Sequence, residues 1–172
     1  MEMGNVRYLV GVGGWEHEVF DRCFYPRPNA GSLEKLKYYA RFFETVEVRP
    51  SFWDDTLTTE QATQWIGAVA ENRSFLFTIK LHSSFTHKKT IRPHVTRSVR
   101  GILQELARHN RLGVLLAQFP YSFTNTSANR FHLEKLGEIF GAFPVHVEFR
   151  HESWHQPALM GFLSEKDRKS VV

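Results

Sequence analysis

Apolar residues in this chain fall into two alternating patterns, short runs and helical stripes. The runs are RYLVGVG (7–13), TVEV (45–48), FLFTIK (75–80), GVLLAQF (113–119) and VHVEF (145–149). Runs of this length bounded by turn residues predict strands. Between them, apolar positions recur every three or four residues, the spacing of a helix face. Leu33, Leu36, Tyr39, Ala40 and Phe43 form the first stripe, with Ser32 placed to cap it. Thr58 and Gln61 make a capping-box pattern ahead of Ala62, Trp65, Ile66 and Val69. Val95, Val99, Ile102, Leu103 and Leu106 form a third stripe that stops near Asn110. Ser127 opens a fourth, with Leu133, Leu136, Ile139 and Phe140 behind it and Gly141 as its exit. Pro157 suits the first turn of a fifth, PALMGFLSEK (157–166), and the terminal KSVV (169–172) starts a sixth strand.

The order is β-α five times and then β, each unit about the ~30 residues of a βαβ repeat. Such crossovers give parallel strands with helices packed outside. The predicted class is α/β, either a parallel (β/α) barrel of TIM type left incomplete or an open sheet. No linker or low-complexity tract divides the chain, so residues 1–172 are expected to form a single domain. A closed eight-stranded barrel takes ~250 residues, and this chain stops about three units short. Unclosed strand edges carry unpaired backbone groups, which predicts self-association.

The chain is 42% hydrophobic, enough for a core and too much for a disordered protein. A net charge of +4 suits anionic ligands without demanding nucleic acid. Cys23 is the only cysteine, which excludes an internal disulfide. The first twenty residues lack the apolar core of a signal peptide, and no stretch is long enough to span a bilayer. A soluble, cytoplasmic protein with no membrane partner is expected.

A parallel strand buried on both faces is apolar to its end. These strands turn polar at one end. Glu47, Lys80, Gln118 and Glu148 fall there, and Arg49, Arg150 and His151 follow directly. Ligands bind at the C-terminal edge in both barrels and open α/β sheets. VEVRPSFW (46–53) and VEFRHESW (147–154) share the pattern V-E-φ-R-x-x-x-W, with φ apolar. Residues two apart on a strand share a face, so Glu47 with Arg49 and Glu148 with Arg150 would face the barrel mouth. Arginine forks suit carboxylate or phosphate, and a nearby carboxylate serves as acid or base. The competing reading is ion pairs that fix register. Lys80 suits anion binding or nucleophilic catalysis, and Gln118 offers both a donor and an acceptor.

His151 to His155 reads H-E-S-W-H, formally the zinc-protease pattern. That chemistry needs both histidines one turn apart on a helix, whereas the strand before and Pro157 after place these residues in a βα loop. Nine histidines, with Glu47 and Glu148, leave a divalent metal open, although no tight ligand spacing supports one. The basic stretch THKKTIRPHVTRSVR (86–100) suits phosphates or a nucleic acid backbone, or a solvated helix face. Tyr25, Trp15, Phe52, Trp53 and Trp154 suit an aromatic wall, or core plugs. GVGGWE (11–16) lacks the third glycine of a dinucleotide fingerprint, and the chain has no P-loop and no G-x-S-x-G elbow.

The stretches VGVGGW, CFYP, LEKLKYYARFFETVEV, FLFTIKLHSSFTH, GVLLAQFPYSF and VEFRHESW, in this order, resemble the YecE-like proteins, also called domain of unknown function 72. The resemblance implies a TIM-barrel fold and commonly a longer chain. It places the family-like positions at Gly14, Trp15, Glu47, Lys80, Thr86, His87, Gln118, Pro120, Glu148, Arg150, His151 and Trp154. The chain departs from the family at Arg49-Pro50, where Asn-Ser is usual, and at Glu152, where proline is usual. The resemblance supplies a fold and a site and no reaction.

Together these readings predict an enzyme of hydrolase or lyase type acting on a small anionic or phosphorylated substrate. Glu47, Glu148, Lys80 and His151 are the expected catalytic residues. Arg150, Gln118, Trp15, Trp154 and His87 are expected to bind substrate. No organic cofactor is required. The alternatives are a nucleic-acid-binding or metal-dependent nuclease-like barrel, and a non-catalytic fragment or binding domain.

Overall fold

The computed structural model describes residues 7–155 together with the backbone of 169–171. Six strands form one sheet in the order β1-β2-β3-β4-β5-β6, and every neighbouring pair is parallel. They are β1 (Gly11–Gly13), β2 (Thr45–Val48), β3 (Leu76–Lys80), β4 (Leu112–Gln118), β5 (Val145–Glu148) and β6 (Lys169–Val171). Helices α1 (Glu18–Cys23) and α2 (Ser32–Tyr39) lie between β1 and β2, and α3 (Thr59–Ala68) precedes β3. The short α4 (Ser83–Thr86) and the long α5 (Pro93–Arg108) precede β4, and α6 (Ser127–Phe140) precedes β5. The fold is therefore α/β of TIM-barrel type, with a sheet that does not close. The expected helix at 157–166 lies outside the described residues.

Alternation along the strands separates two faces. Val46, Val48, Phe77, Ile79, Leu115, Ala117 and Val147 are buried, forming the core against the helices. Their neighbours Glu47, Thr78, Lys80, Leu116, Gln118 and Glu148 occupy the other face and are only half-buried. In a closed barrel this second face is the interior. Sheet register brings its polar residues level: Gln118 pairs with Glu148 across β4 and β5, and Glu47 with Thr78 across β2 and β3.

Helix ends follow local chemistry. Thr58 and Gln61 form the full reciprocal capping box of α3. Pro93 opens α5, and Asn110, at φ 56°, ends the chain's helical course beyond it. Two caps differ from expectation. Ser32 is the first residue of α2 rather than its cap, and its Oγ accepts a bond from Trp15 Nε1 at 3.0 Å. Thr126, not Ser127, caps α6: it holds the extended conformation a cap needs, and its Oγ1 accepts from the Asn129 backbone N–H. At Gly11 the Thr45 carbonyl lies only 2.0 Å from where a Cβ would stand, so no larger residue fits between β1 and β2. Gly14, at φ 85°, turns the chain out of β1 while its N–H bonds the Glu47 carbonyl at 2.9 Å.

Candidate active site at the strand C-termini

The loops after β2 and β3 are tied together before any ligand is considered. Ser51 Oγ bonds the carbonyl of Val48 at 2.6 Å and that of Lys80 at 2.7 Å, joining the ends of two strands. His82, which is buried, caps α4 by accepting the Ser84 N–H. Burial holds its imidazole below the usual histidine range.

On this scaffold the half-buried face carries one connected row of polar side chains. Lys80 Nζ lies 3.9 Å from Glu47 and donates to Gln118 Oε1 at 2.8 Å. Gln118 Nε2 donates to both Glu148 oxygens at 2.7 Å. Arg150 Nε reaches Glu148 at 3.3 Å. The row runs from β2 through β3 and β4 to the end of β5. It alternates acid, base, amide, acid and base, so each charge has an opposite or dipolar neighbour. The side chain of Lys80 retains only 17% of its accessibility, against 55% for Arg150. Lys80 is thus the enclosed cation and Arg150 the exposed one. The Phe52 ring lies 5.1 Å below Lys80 Nζ and 5.0 Å edge-on to the His87 ring, which brings His87 to the same mouth. Thr86 Oγ1 bonds His87 Nδ1 at 2.9 Å.

His151 stands at the rim. Its Nδ1 accepts the Ser153 N–H at 3.1 Å, and its ring sits 4.7 Å from the exposed Tyr121. The H-E-S-W-H segment is a single 3-10 turn (Glu152–Trp154) entered from an extended His151, so the two histidines do not share a helix face. Among the described residues no three His, Cys, Asp or Glu side chains converge as metal ligands. Glu47 and Glu148 are separated by Lys80 and Gln118.

The two tryptophans expected to face substrate sit elsewhere. Trp15 is 5% exposed and donates its Nε1 to the backbone and side chain of Ser32. Trp154 is 2% exposed, stacked 4.3 Å from Phe149, and donates to the Phe123 carbonyl. Both are core plugs with satisfied N–H groups, and Tyr25 is likewise buried, its hydroxyl bound to the Trp15 carbonyl. Of the aromatic wall, Phe52 and the exposed Trp53 remain at the surface. The repeated V-E-φ-R motif also splits in two. Arg150 pairs with Glu148, but Arg49 adopts a helical conformation (φ −72°, ψ −37°) that breaks strand alternation. Arg49 instead lines a neighbouring concavity of about 250 Å³ with His17 and Trp53.

Sequence reasoning missed Ser51 and Tyr121. Neither lies in a strand, and only the loop geometry brings them to the mouth. The basic stretch is partly spent on internal contacts: Lys89 bonds Asn129, Arg92 and His94 pair with Asp55, and Arg100 bonds the Ile139 carbonyl. Two larger concavities, about 390 and 520 Å³, follow the outside of α2 and contain none of the strand-end residues.

A parallel sheet wrapped by helices, with a polar row at its strand C-termini, defines an α/β protein of the TIM-barrel class. The chain belongs to the family described as protein of unknown function DUF72, which matches residues 9–172. It is 27% identical over 155 residues to the UPF0759 protein YunF of Bacillus subtilis, covering 86% of this chain and 52% of that protein. A DUF72 family crystal structure from Thermotoga maritima superposes with a TM-score of 0.75 at 27% identity, covering 95% of this chain and 64% of that one. One from Enterococcus faecalis gives a TM-score of 0.69 at 22% identity, over 94% and 61%, and shares the fold. The chain thus spans about half the length of the curated relative it matches.

Proposed function

We propose that this protein is an enzyme of hydrolase or lyase type that binds a small anionic or phosphorylated substrate at the C-terminal mouth of its sheet. The observation that carries this reading is the unbroken row Glu47, Lys80, Gln118, Glu148, Arg150 across four neighbouring strand ends. Even partial burial of charge is costly where packing alone would serve, so Glu47, Lys80 and Glu148 half-buried on one sheet edge, with the exposed Arg150 beside them, point to use. Lys80 and Arg150 hold the anion. Arg150 engages Glu148 only through Nε among the described hydrogen bonds, which leaves its terminal amino groups for a fork on phosphate or carboxylate. Glu148 moves protons: it lies between Gln118 and Arg150, and substrate capture of Arg150 would release it as a base. Glu47 is the second acid–base group, balanced by Lys80. Gln118 fixes the orientation of Lys80 and Glu148, and His151 and His87 border the bound ligand.

The test has two stages. Thermal shift with inorganic phosphate, sugar phosphates and dicarboxylates should find a stabilising anion, and Lys80→Met or Arg150→Met should remove the shift. Against a substrate found this way, Glu148→Gln should lower kcat at least ~100-fold, the scale of a lost acid–base group, with binding retained. Undiminished turnover by E148Q would exclude the role given to Glu148.

A further inference from the structure

His87 lies at the mouth but outside the polar row. It packs on the same Phe52 ring as Lys80, from the α4 side. Lys80 from β3 and Arg150 from beyond β5 both act on it as positive charges, with Glu47 and Glu148 as their counter-ions. Its neighbour on its own segment is the Thr86 hydroxyl, 2.9 Å from Nδ1 and 1% exposed as a residue. His87 is an exposed residue, yet desolvation at the mouth and the two cations hold its imidazole below the ordinary range, which favours the neutral form in the free protein. An imidazole that feels two cations is a latent third cation, because an anion bound by them reverses the field it feels.

We propose that His87 takes up a proton when a doubly charged anion binds over Lys80 and draws Arg150 off Glu148, so that the mouth selects phosphate-type dianions over monocarboxylates. This rests on the anion-binding reading of the mouth and specifies its substrate class. The local chemistry permits the change without breaking a bond. Thr86 donates its hydroxyl proton to Nδ1 while the ring is neutral, with the ring proton on Nε2. On protonation, Nδ1–H donates to the same oxygen, whose hydrogen rotates away. One proton moves from solvent to Nδ1, and no other bond changes. A monocarboxylate brings half the charge and holds the third cation less well.

Sulfate is the clean probe, since it stays dianionic near neutral pH and its own titration cannot contribute. Isothermal titration of the full chain with sulfate, in two buffers of different ionisation enthalpy, reads the protons taken up. Uptake approaching one proton per sulfate is expected, with affinity falling as pH rises by up to about tenfold per pH unit, the limit for one linked proton. Acetate should bind far more weakly. His87→Gln should bind sulfate more weakly, with no proton uptake and a flat pH profile. Sulfate binding with no uptake in the wild-type protein would overturn the role of His87 and leave the cationic mouth standing. An absence of sulfate and phosphate binding at every pH would overturn the mouth itself. The wild-type measurements decide the linkage without a variant, so a poorly folded H87Q would not obscure it.

Discussion

At the residue scale, the same side-chain type does different work at different depths. His82 and His87 lie five residues apart, and both imidazoles are held below the ordinary value, first by burial. His82 is locked into the α4 cap, whereas His87 faces charged side chains at the mouth. A histidine whose folded pKa is depressed binds its proton better in the unfolded chain. Stability is then complete above the unfolded value, about 6.5, and declines as pH falls through it. The melting temperature is therefore expected to drop on acidification from neutral pH. His82→Asn, which preserves a capping acceptor, should flatten that drop when melts are compared across pH. An unchanged slope in H82N would mean that other groups dominate acid sensitivity. The tryptophans show why residue type alone misleads. Trp15 and Trp154 sit at strand ends in sequence, as substrate-facing rings would. Only their buried N–H partners, Ser32 and the Phe123 carbonyl, reveal them as plugs.

At the scale of elements, periodicity carries most of the information. The predicted β2 is observed over the same four residues, and β3, β4 and β5 lie within one residue of expectation at each end. β1 is shorter, because its pairing with β2 begins only at Thr45 and leaves residues 7–10 outside the ladder. α1, α4 and the 3-10 turns at Pro50–Phe52 and Glu152–Trp154 had no signal, since three to six residues are too few to establish a period. The turns after β2 and β3 position Ser51, Phe52 and His87, and the turn after β4 carries Tyr121. The strand-borne part of the candidate site was therefore legible from periodicity, whereas of the loop-borne part Phe52, Arg150, His87 and His151 were named by residue type or resemblance, and Ser51 and Tyr121 were missed. The capping box of α3 offers a direct check on local coding. Thr58→Ala removes the acceptor for the Gln61 N–H and is expected to cost about 1 kcal/mol. Thr58→Ser should restore most of that. Equal stability of all three proteins in urea melts would mean that packing of Ala62 and Trp65 alone sets the helix start.

At the scale of the molecule, β1 and β6 end the sheet, and the flank of β1 is apolar. Tyr8 is 83% exposed, Val10 63% and Val12 37%. Gly11 and Gly13 pair with Thr45 and Glu47 on the polar side, so Val12 belongs to the side that helices cover on the inner strands. Such an edge combines backbone groups that face no further strand with apolar side chains, the combination that draws a second chain. Among the described residues no helix is long and apolar enough to cross a membrane. Concentration-dependent self-association through the β1 edge is the expected behaviour of this chain. Val10→Lys places a charge on the exposed patch, beyond the ladder that starts at Gly11, and should shift light-scattering mass toward the monomer with little change in melting temperature. A wild-type protein that stays monomeric as concentration rises would show that the edge is protected. If V10K associates as strongly as the parent, the contact must run through other surfaces, and the half-open face carrying Lys80 and Glu148 becomes the next to test. The distinction bears on the chemistry, because association through β1 leaves the strand-end mouth open to substrate, whereas association through the polar face covers it.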